Sequence, residues 1–269
     1  MRPLDLALGS APDSPVPTPD SWPLPLADPA MYAKEVHVWR ASLTASPAEL
    51  QRMESFLSEA ERARASRLLF PERSARFVAS RAIQRDILSR YTGLDPAALV
   101  IGQSAEGKPR LEHPPGCGLH FNATNSAGLA LYAVAEGRRV GVDLEVVRDD
   151  RDGQSIVEHR FSPIERGYYR DLPVAERASG FHRLWTLKEA YLKAVGTGLN
   201  RSLASFDVMP GPGSRATVSS EREQPDERGE WSVLSLYPAA GHLGALAVEG
   251  TDWRLRRFQW RCLCPGTGT

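Results

Sequence analysis

The stretch Trp185-Thr-Leu-Lys-Glu-Ala-Tyr-Leu-Lys193 combines helical periodicity with reactive side chains. Read as a helix, it stacks Trp185, Glu189 and Lys193 on one face by i,i+4 spacing. A second stripe of Leu184, Leu187, Tyr191 and Ala194 faces elsewhere and is free to bury itself. The carboxylate and the ammonium are therefore presented as a pair. The helix is predicted over Arg177 to Val195, with Gly196 closing it. Upstream lies Val140-Gly-Val-Asp-Leu-Glu-Val146. As a strand it sends Val140, Val142, Leu144 and Val146 to one side and Gly141, Asp143 and Glu145 to the other. Two carboxylates on a strand face and one on a helix could hold a hard cation such as Mg2+.

Working outward, Ser46-Pro47-Ala-Glu49 is a capping box with Pro at the first helical position. It predicts a helix to about Phe56. Ser58-Glu-Ala-Glu61 opens a second helix to about Leu69, and Pro71 a third that ends near Tyr91-Thr-Gly93. On the third, Phe77, Ile83, Ile87, Leu88 and Tyr91 share a face, and Arg76 falls inside that arc and needs a partner. Glu35 to Trp39, His120 to Ala123 and Leu129 to Ala135 read as strands. Glu136-Gly137-Arg138 reads as a tight hairpin turn into the Val140–Val147 strand. Residues 148 to 155 read as a charged loop, and Ser162-Pro163-Ile-Glu165 as a third capping box. Phe206 to Met209, Trp231 to Tyr237, His242 to Val248 and Trp253 to Phe258 read as strands. Pro210 to Gly229 reads as a mobile loop. Seven prolines between Pro12 and Pro29 make residues 1 to 33 an extended lead-in, with Trp22, Leu24 and Leu26 able to fold it over the body.

The chain has 269 residues and zero formal net charge, which argues against a nucleic-acid binder relying on global charge. Three cysteines, Cys117, Cys262 and Cys264, make neither a disulfide framework nor a zinc site. No apolar run of membrane-spanning length and no signal segment stand out, so the expectation is a cytoplasmic protein that does not enter a membrane. The six histidines lack metal-ligand spacing and read as structural or surface residues. The pattern of elements alone gives an α+β class.

Taken together, Gly141-Val-Asp143-Leu-Glu145 and Trp185-Thr-Leu-Lys188-Glu189-Ala-Tyr-Leu-Lys193 resemble the signature of the Sfp-type 4′-phosphopantetheinyl transferases. Both halves occur in order and at the family's separation. The resemblance covers about residues 36 to 258. It implies two similar α/β half-domains related by a pseudo-twofold, with the active site in the cleft between them. The boundaries expected are a Pro-rich extension over 1–33, a nucleotide-side half over 34–139, a metal and catalytic half over 140–260 and a tail over 261–269. The implied reaction moves the phosphopantetheine arm of coenzyme A to a serine of an apo acyl-carrier or peptidyl-carrier protein. A monomer is expected.

The same resemblance implies roles. Asp143, Glu145 and Glu189 hold Mg2+, with Mn2+ as the alternative ion. Lys193 pairs with Glu189 and reaches a phosphate oxygen. Glu189, or a water held by it on the ion, is the base. Asp143 completes the catalytic set. Lys188 is a second phosphate contact or a surface charge, and Trp185 packs. Coenzyme A is held by Arg64, by Lys108 and Pro109 of Gly107-Lys-Pro109, and by Asn122, Thr124 and Asn125 of Phe121-Asn-Ala-Thr-Asn-Ser126, with Arg76 and Arg81 as further anion contacts. Asn125 stands where the family usually has His, so it brings no positive charge to the 3′-phosphate. That departure supports the alternative of a catalytically weak relative that binds coenzyme A or carrier protein without turnover. The carrier protein is expected to dock near the cleft, on the segment Arg148 to Arg170.

Overall fold

Each of the three Ser-x-x-Glu boxes starts a helix, and in each the serine hydroxyl and the glutamate carboxylate cap reciprocally. The computed structural model describes residues 19–25, 29–148, 151–196, 201–219 and 230–262. The first half runs β1 (Glu35–Ser42), α1 (Pro47–Glu54), α2 (Glu59–Ser66), α3 (Pro71–Thr92), β2 (Val100–Gln103), β3 (Pro109–His113), β4 (Leu119–Ser126) and β5 (Leu129–Glu136). The second runs β6 (Val140–Val146), α4 (Arg151–Arg160), α5 (Pro163–Asp171), α6 (Arg177–Val195), β7 (Asp207–Pro210), β8 (Arg215–Ser219), β9 (Trp231–Leu236), β10 (His242–Glu249) and β11 (Arg254–Gln259).

The two halves repeat one plan. An opening strand leads through short helices to a long one, and a hairpin returns to pair antiparallel with the opening strand. The sheet orders are β11-β1-β5-β4 and β6-β10-β9-β8-β7, so β1-β5-β4 in one half matches β6-β10-β9 in the other. Both long helices stop at a left-handed glycine, Gly93 with φ 69° and Gly196 with φ 97°. The sheets meet face to face through Val36, Val38, Leu131, Ala133, Val140, Val142, Leu144 and Leu246. On β5 the alternate residues Ala130, Tyr132 and Val134 turn the other way, into the core beneath α3. Ala245 and Ala247 of β10 do the same beneath α6. The result is helix, sheet, sheet, helix, with apolar side chains on both faces of each central strand.

One glycine sets the distance between α6 and β6. A Cβ on Gly141 would lie 2.1 Å from the Ala190 carbonyl oxygen and 2.3 Å from the Ala194 nitrogen. Both obstacles are helix backbone and cannot rotate away. Gly141→Ala is expected to push α6 off the strand and to cost more than about 3 kcal/mol. A urea melt with stability unchanged would show that the contact is not needed.

Several expectations give way. Glu136-Gly137-Arg138 does not close a hairpin between paired strands, because β5 and β6 belong to different sheets. Residues 151–155 of the expected charged loop instead form the first half of α4, which runs on to Arg160. Its Gly153 leaves the space taken by the Phe181 ring, whose Cδ1 would lie 3.0 Å from an added Cβ. Inside the segment expected as a loop, residues 215–219 form β8, while 220–229 lie outside the described residues. Arg76 is exposed and not in the apolar arc of α3, where Val78, Ala79, Ala82, Ile83, Ile87 and Leu88 are buried. β11, expected with the second half, pairs in parallel with β1 of the first.

The lead-in does fold over the body through Trp22, which is 8% exposed and packs between the sheets. Leu24 is largely exposed, and Leu26 lies outside the described residues, as do residues 1–18 and Cys264. Asp20 exchanges two 2.8 Å hydrogen bonds with the backbone of Tyr237 and meets Arg257 of β11 at 3.2 Å. Pro23 accepts from the Gln259 backbone N–H at 2.8 Å. No helix among the described residues is long and apolar enough to cross a membrane.

Candidate active site

The site forms where the edge strands β4 and β6 of the two sheets come side by side. They are not joined by a backbone ladder. Instead, alternate β4 side chains reach across. Asn122 Oδ1 accepts the Val142 N–H at 2.9 Å, and Ser126 Oγ accepts the Val146 N–H at 3.3 Å. Thr124 Oγ1 donates to Asp143 Oδ1 at 3.3 Å, and Ser126 Oγ to Glu145 Oε2 at 3.2 Å. The strand period places 122, 124 and 126 on this side and leaves Asn125 exposed on the other.

From the opposite direction α6 brings Lys193 to Asp143. Its Nζ lies 2.6 Å from Asp143 Oδ1 and donates to Thr124 Oγ1 at 3.3 Å. The partner of Lys193 is therefore the strand carboxylate and not Glu189, the partner read from helical spacing. Asp143 is 4% exposed. Its other oxygen, Oδ2, and Glu189 Oε1 are buried with no hydrogen-bond partner. Burial, and then the neighbouring Asp143, push the Glu189 carboxyl above the ordinary range. The same two causes push Glu145 up, against the hydrogen bond from Ser126.

Two orphaned buried oxygens and two destabilised carboxylates make an oxygen-rich pocket that fits a hard divalent cation. Among the described residues no three His, Cys, Asp or Glu side chains are gathered closely enough to hold one as they stand. Lys193 takes up one oxygen of the set. Because protonation of Glu145 and Glu189 removes ligands, and both protonate above the usual carboxylate pH, ion binding should weaken as pH falls, beginning above the ordinary Glu range of about 4.3. Mn2+ titration by electron paramagnetic resonance from pH 5 to 8 checks this. A pH-independent affinity would contradict it.

Lys188 is corrected. It is neither a phosphate contact nor a surface charge. Lys188 and Glu165 are both 0% exposed, with Nζ 2.5 Å from Glu165 Oε1. Lys188 also donates to the Phe206 carbonyl at 2.8 Å and lies 3.9 Å from the Phe206 ring centre. Glu165 Oε1 accepts the Val208 N–H at 2.7 Å, and Oε2 accepts the Ser162 N–H at 3.0 Å. The residue beside Glu189 thus ties α6 to α5 and β7. Trp185 packs with Phe181, as expected.

The residues expected to hold coenzyme A fall in three places. Asn122 and Thr124 lie in the β4–β6 seam. Lys108 and Pro109 line a cavity of about 230 Å³ with His120, Phe121, Arg139, Val195 and Gly196. There the Lys108 ammonium donates to the carbonyls of Val140 at 3.1 Å and Ala194 at 2.7 Å, joining the β3 hairpin to both β6 and α6. Burial, then Arg139, lowers its pKa to about 8. Arg64 and Arg81 sit over the Phe77 ring, at 5.2 and 5.8 Å from its centre, and Arg81 also bonds Gln84 at 3.0 Å. Arg76 is exposed on the same helix.

Two contributors were not singled out from the sequence. Ser126 follows from extending the two-residue period of 122 and 124 by one step. Glu165 gave only its capping signal, and its ion partner lies 23 positions away. His182 proves to be nearly buried on α6, with Nδ1 2.8 Å from the Ala178 carbonyl.

A family model described as the 4′-phosphopantetheinyl transferase superfamily matches residues 139–247. The chain is 37% identical over 225 residues to the 4′-phosphopantetheinyl transferase HetI of Nostoc sp., covering 83% of this chain and 92% of that one. To the 4′-phosphopantetheinyl transferase Sfp of Bacillus subtilis it is 29% identical over 211 residues, covering 77% and 89%. To the 4′-phosphopantetheinyl transferase psf-1 of Bacillus pumilus it is 27% identical over 220 residues, covering 77% and 91%. With that kinship along most of its length, and with the strand and helix motifs facing each other across one seam, the chain belongs to the 4′-phosphopantetheinyl transferase superfamily, among its Sfp-type members.

Proposed function

We propose that this protein transfers the 4′-phosphopantetheine arm of coenzyme A to a serine of an apo acyl-carrier or peptidyl-carrier protein. The products are the holo carrier and adenosine 3′,5′-bisphosphate. The observation that carries the reading is the seam itself: Lys193 and Thr124 on one oxygen of Asp143, with the other oxygen and Glu189 Oε1 left without partners.

Asp143, Glu145 and Glu189 would hold a divalent ion, Mg2+ or Mn2+, which when bound would supply charge neutralisation for the pyrophosphate. Lys193 is within reach of the same phosphates and supplies a fixed positive charge. The serine oxygen forms a bond to the phosphorus on the pantetheine side, and the bond from that phosphorus to the adenosine bisphosphate breaks. The serine proton passes to Glu189, directly or through water, and a carboxyl with a raised pKa is a better proton acceptor than an ordinary one. The nucleotide end lies at the Lys108–Pro109 cavity, at the C-terminal end of α6. The arginines around Phe77 are a second cationic surface for the 3′-phosphate. One chain carries both half-sheets and both long helices, so the working unit is the monomer.

The reading is tested by intact mass of a mixed panel of apo carriers after incubation with coenzyme A and Mg2+, beside a chelator control. A gain of one phosphopantetheine group, lost with chelator, is expected. No gain on any carrier would refute it. Asn125 adds a finer expectation. Lacking a positive charge there, the enzyme should favour coenzyme A over dephospho-coenzyme A less strongly than its Asn125→His variant does. Equal ratios of kcat/KM in the two proteins would remove that role.

A further inference from the structure

The Lys108 ammonium is turned inward, onto two backbone carbonyls: Val140 at 3.1 Å and Ala194 at 2.7 Å. Both are positions where regular structure leaves a carbonyl to be satisfied from outside. Ala194 lies in the last turn of α6, and the last four carbonyls of a helix have no intrahelical donor. A cation there also complements the helix dipole. Val140 lies on β6, the edge strand of its sheet. The neighbouring Arg139 carbonyl accepts the Glu249 N–H on the β10 side. Strand alternation therefore turns the Val140 carbonyl to the open side. On that same side Asn122 and Ser126 meet the N–H groups of Val142 and Val146. Lys108 continues this row of side chains along the β6 edge and alone in it reaches on to α6.

The two elements it joins are the two that form the site. Val140 is three residues before Asp143, and Ala194 directly follows Lys193, whose Nζ lies 2.6 Å from Asp143 Oδ1. Between these two bridges sits Gly141, where an added Cβ would come 2.3 Å from the Ala194 nitrogen. The Lys108 stem runs past the closing glycine, with Cδ 3.5 Å from a Cβ placed on Gly196. Lys193 stands in the last turn of α6, and helix ends fray unless something holds them. Whatever pins that turn to β6 also sets the place of the Lys193 ammonium.

Resting on the transferase reading, we infer that Lys108 is a positioning residue: it pins the last turn of α6 to β6, fixes Lys193 for the reacting phosphates, and serves turnover through Lys193 and not through its own charge on the nucleotide. This differs from the coenzyme A contact expected of it, although its stem still lines the nucleotide cavity.

The test compares wild type, Lys108→Met, Lys193→Ala and the double variant by carrier mass gain, with the coenzyme A dissociation constant from calorimetry. Lys108→Met should lower kcat by about tenfold to a hundredfold, the effect of a misplaced group at a reacting centre. Its affinity for coenzyme A should stay within about twofold of wild type. On the Lys193→Ala background the same change should cost no further activity, because the residue it acts through is already gone. Lys108→Gln, which keeps N–H donors and loses the charge, is made beside it and carries the same comparisons if Lys108→Met does not fold. Weaker coenzyme A binding with kcat unchanged would overturn the inference and return Lys108 to the phosphate. An equal further loss on the Lys193→Ala background would overturn it too, as would a kcat unaffected by either substitution. Failure of the wild-type protein to modify any carrier would mark failure of the transferase reading instead.

Discussion

Glu189→Gln should lower the rate of carrier modification by about a thousandfold while leaving the protein as stable as before or more so. The first half follows from the loss of a proton acceptor and an ion ligand at one position, each worth about two to four orders of magnitude at a phosphoryl-transfer site. The second half follows from the electrostatics. Glu189 is raised by burial and by the nearby Asp143, so its charged form is held against repulsion, and Oε1 has no donor to compensate it. A neutral amide of the same shape ends the repulsion and can donate to a neighbouring carboxylate. The expected direction is a rise in Tm and not a fall. Intact-mass kinetics and a thermal melt on the same preparation read both. Activity above a tenth of wild type would remove Glu189 from the chemistry, and a large fall in Tm would show the residue to be a structural partner instead.

Lys188→Met should strongly destabilise α6 and its packing. It leaves Glu165 fully buried with its charge uncompensated, which costs about 3–5 kcal/mol. A second change separates the charge from the packing. Glu165→Gln placed on Lys188→Met keeps an oxygen for the Val208 N–H and removes the stranded charge. The double variant should recover at least half of the loss in a urea melt. A single variant within about 1 kcal/mol of wild type would show that the pair contributes little. Equal loss in single and double variants would point to the volume of the lysine stem and not to its charge.

The elements that announce themselves locally were legible. Ser46, Ser58 and Ser162 start helices because the capping bonds span three residues, and Gly93 and Gly196 end them because only the local backbone is involved. The strand and helix faces of Asp143, Glu145, Glu189 and Lys193 were legible for the same reason, since period two and i,i+4 are properties of one element. What was not legible depends on which elements meet. Lys193 chose Asp143 over Glu189 because β6 and α6 approach to backbone contact at Gly141. Lys188 looked like surface charge because its partner, Glu165, is supplied by another helix. The turn at Gly137 has the residues of a hairpin, but the apolar side of β6 serves the contact between the sheets, and that holds the strand in the second sheet. Asn122 shows the same limit: its side chain stands in for a backbone ladder between β4 and β6, which no pattern within β4 reveals.

The parallel pairing of β11 with β1 has a consequence for synthesis on the ribosome. Until residues 254–259 have emerged, β1 has an open side, with backbone groups free to pair with another chain. Roughly 200 residues separate the two strands, a delay of about 10–40 s at ordinary elongation rates. During that interval the nascent first half is a partly finished sheet. The last strand among the described residues is therefore the one that protects β1, and the protein should be most vulnerable to self-association while β11 is still to be made.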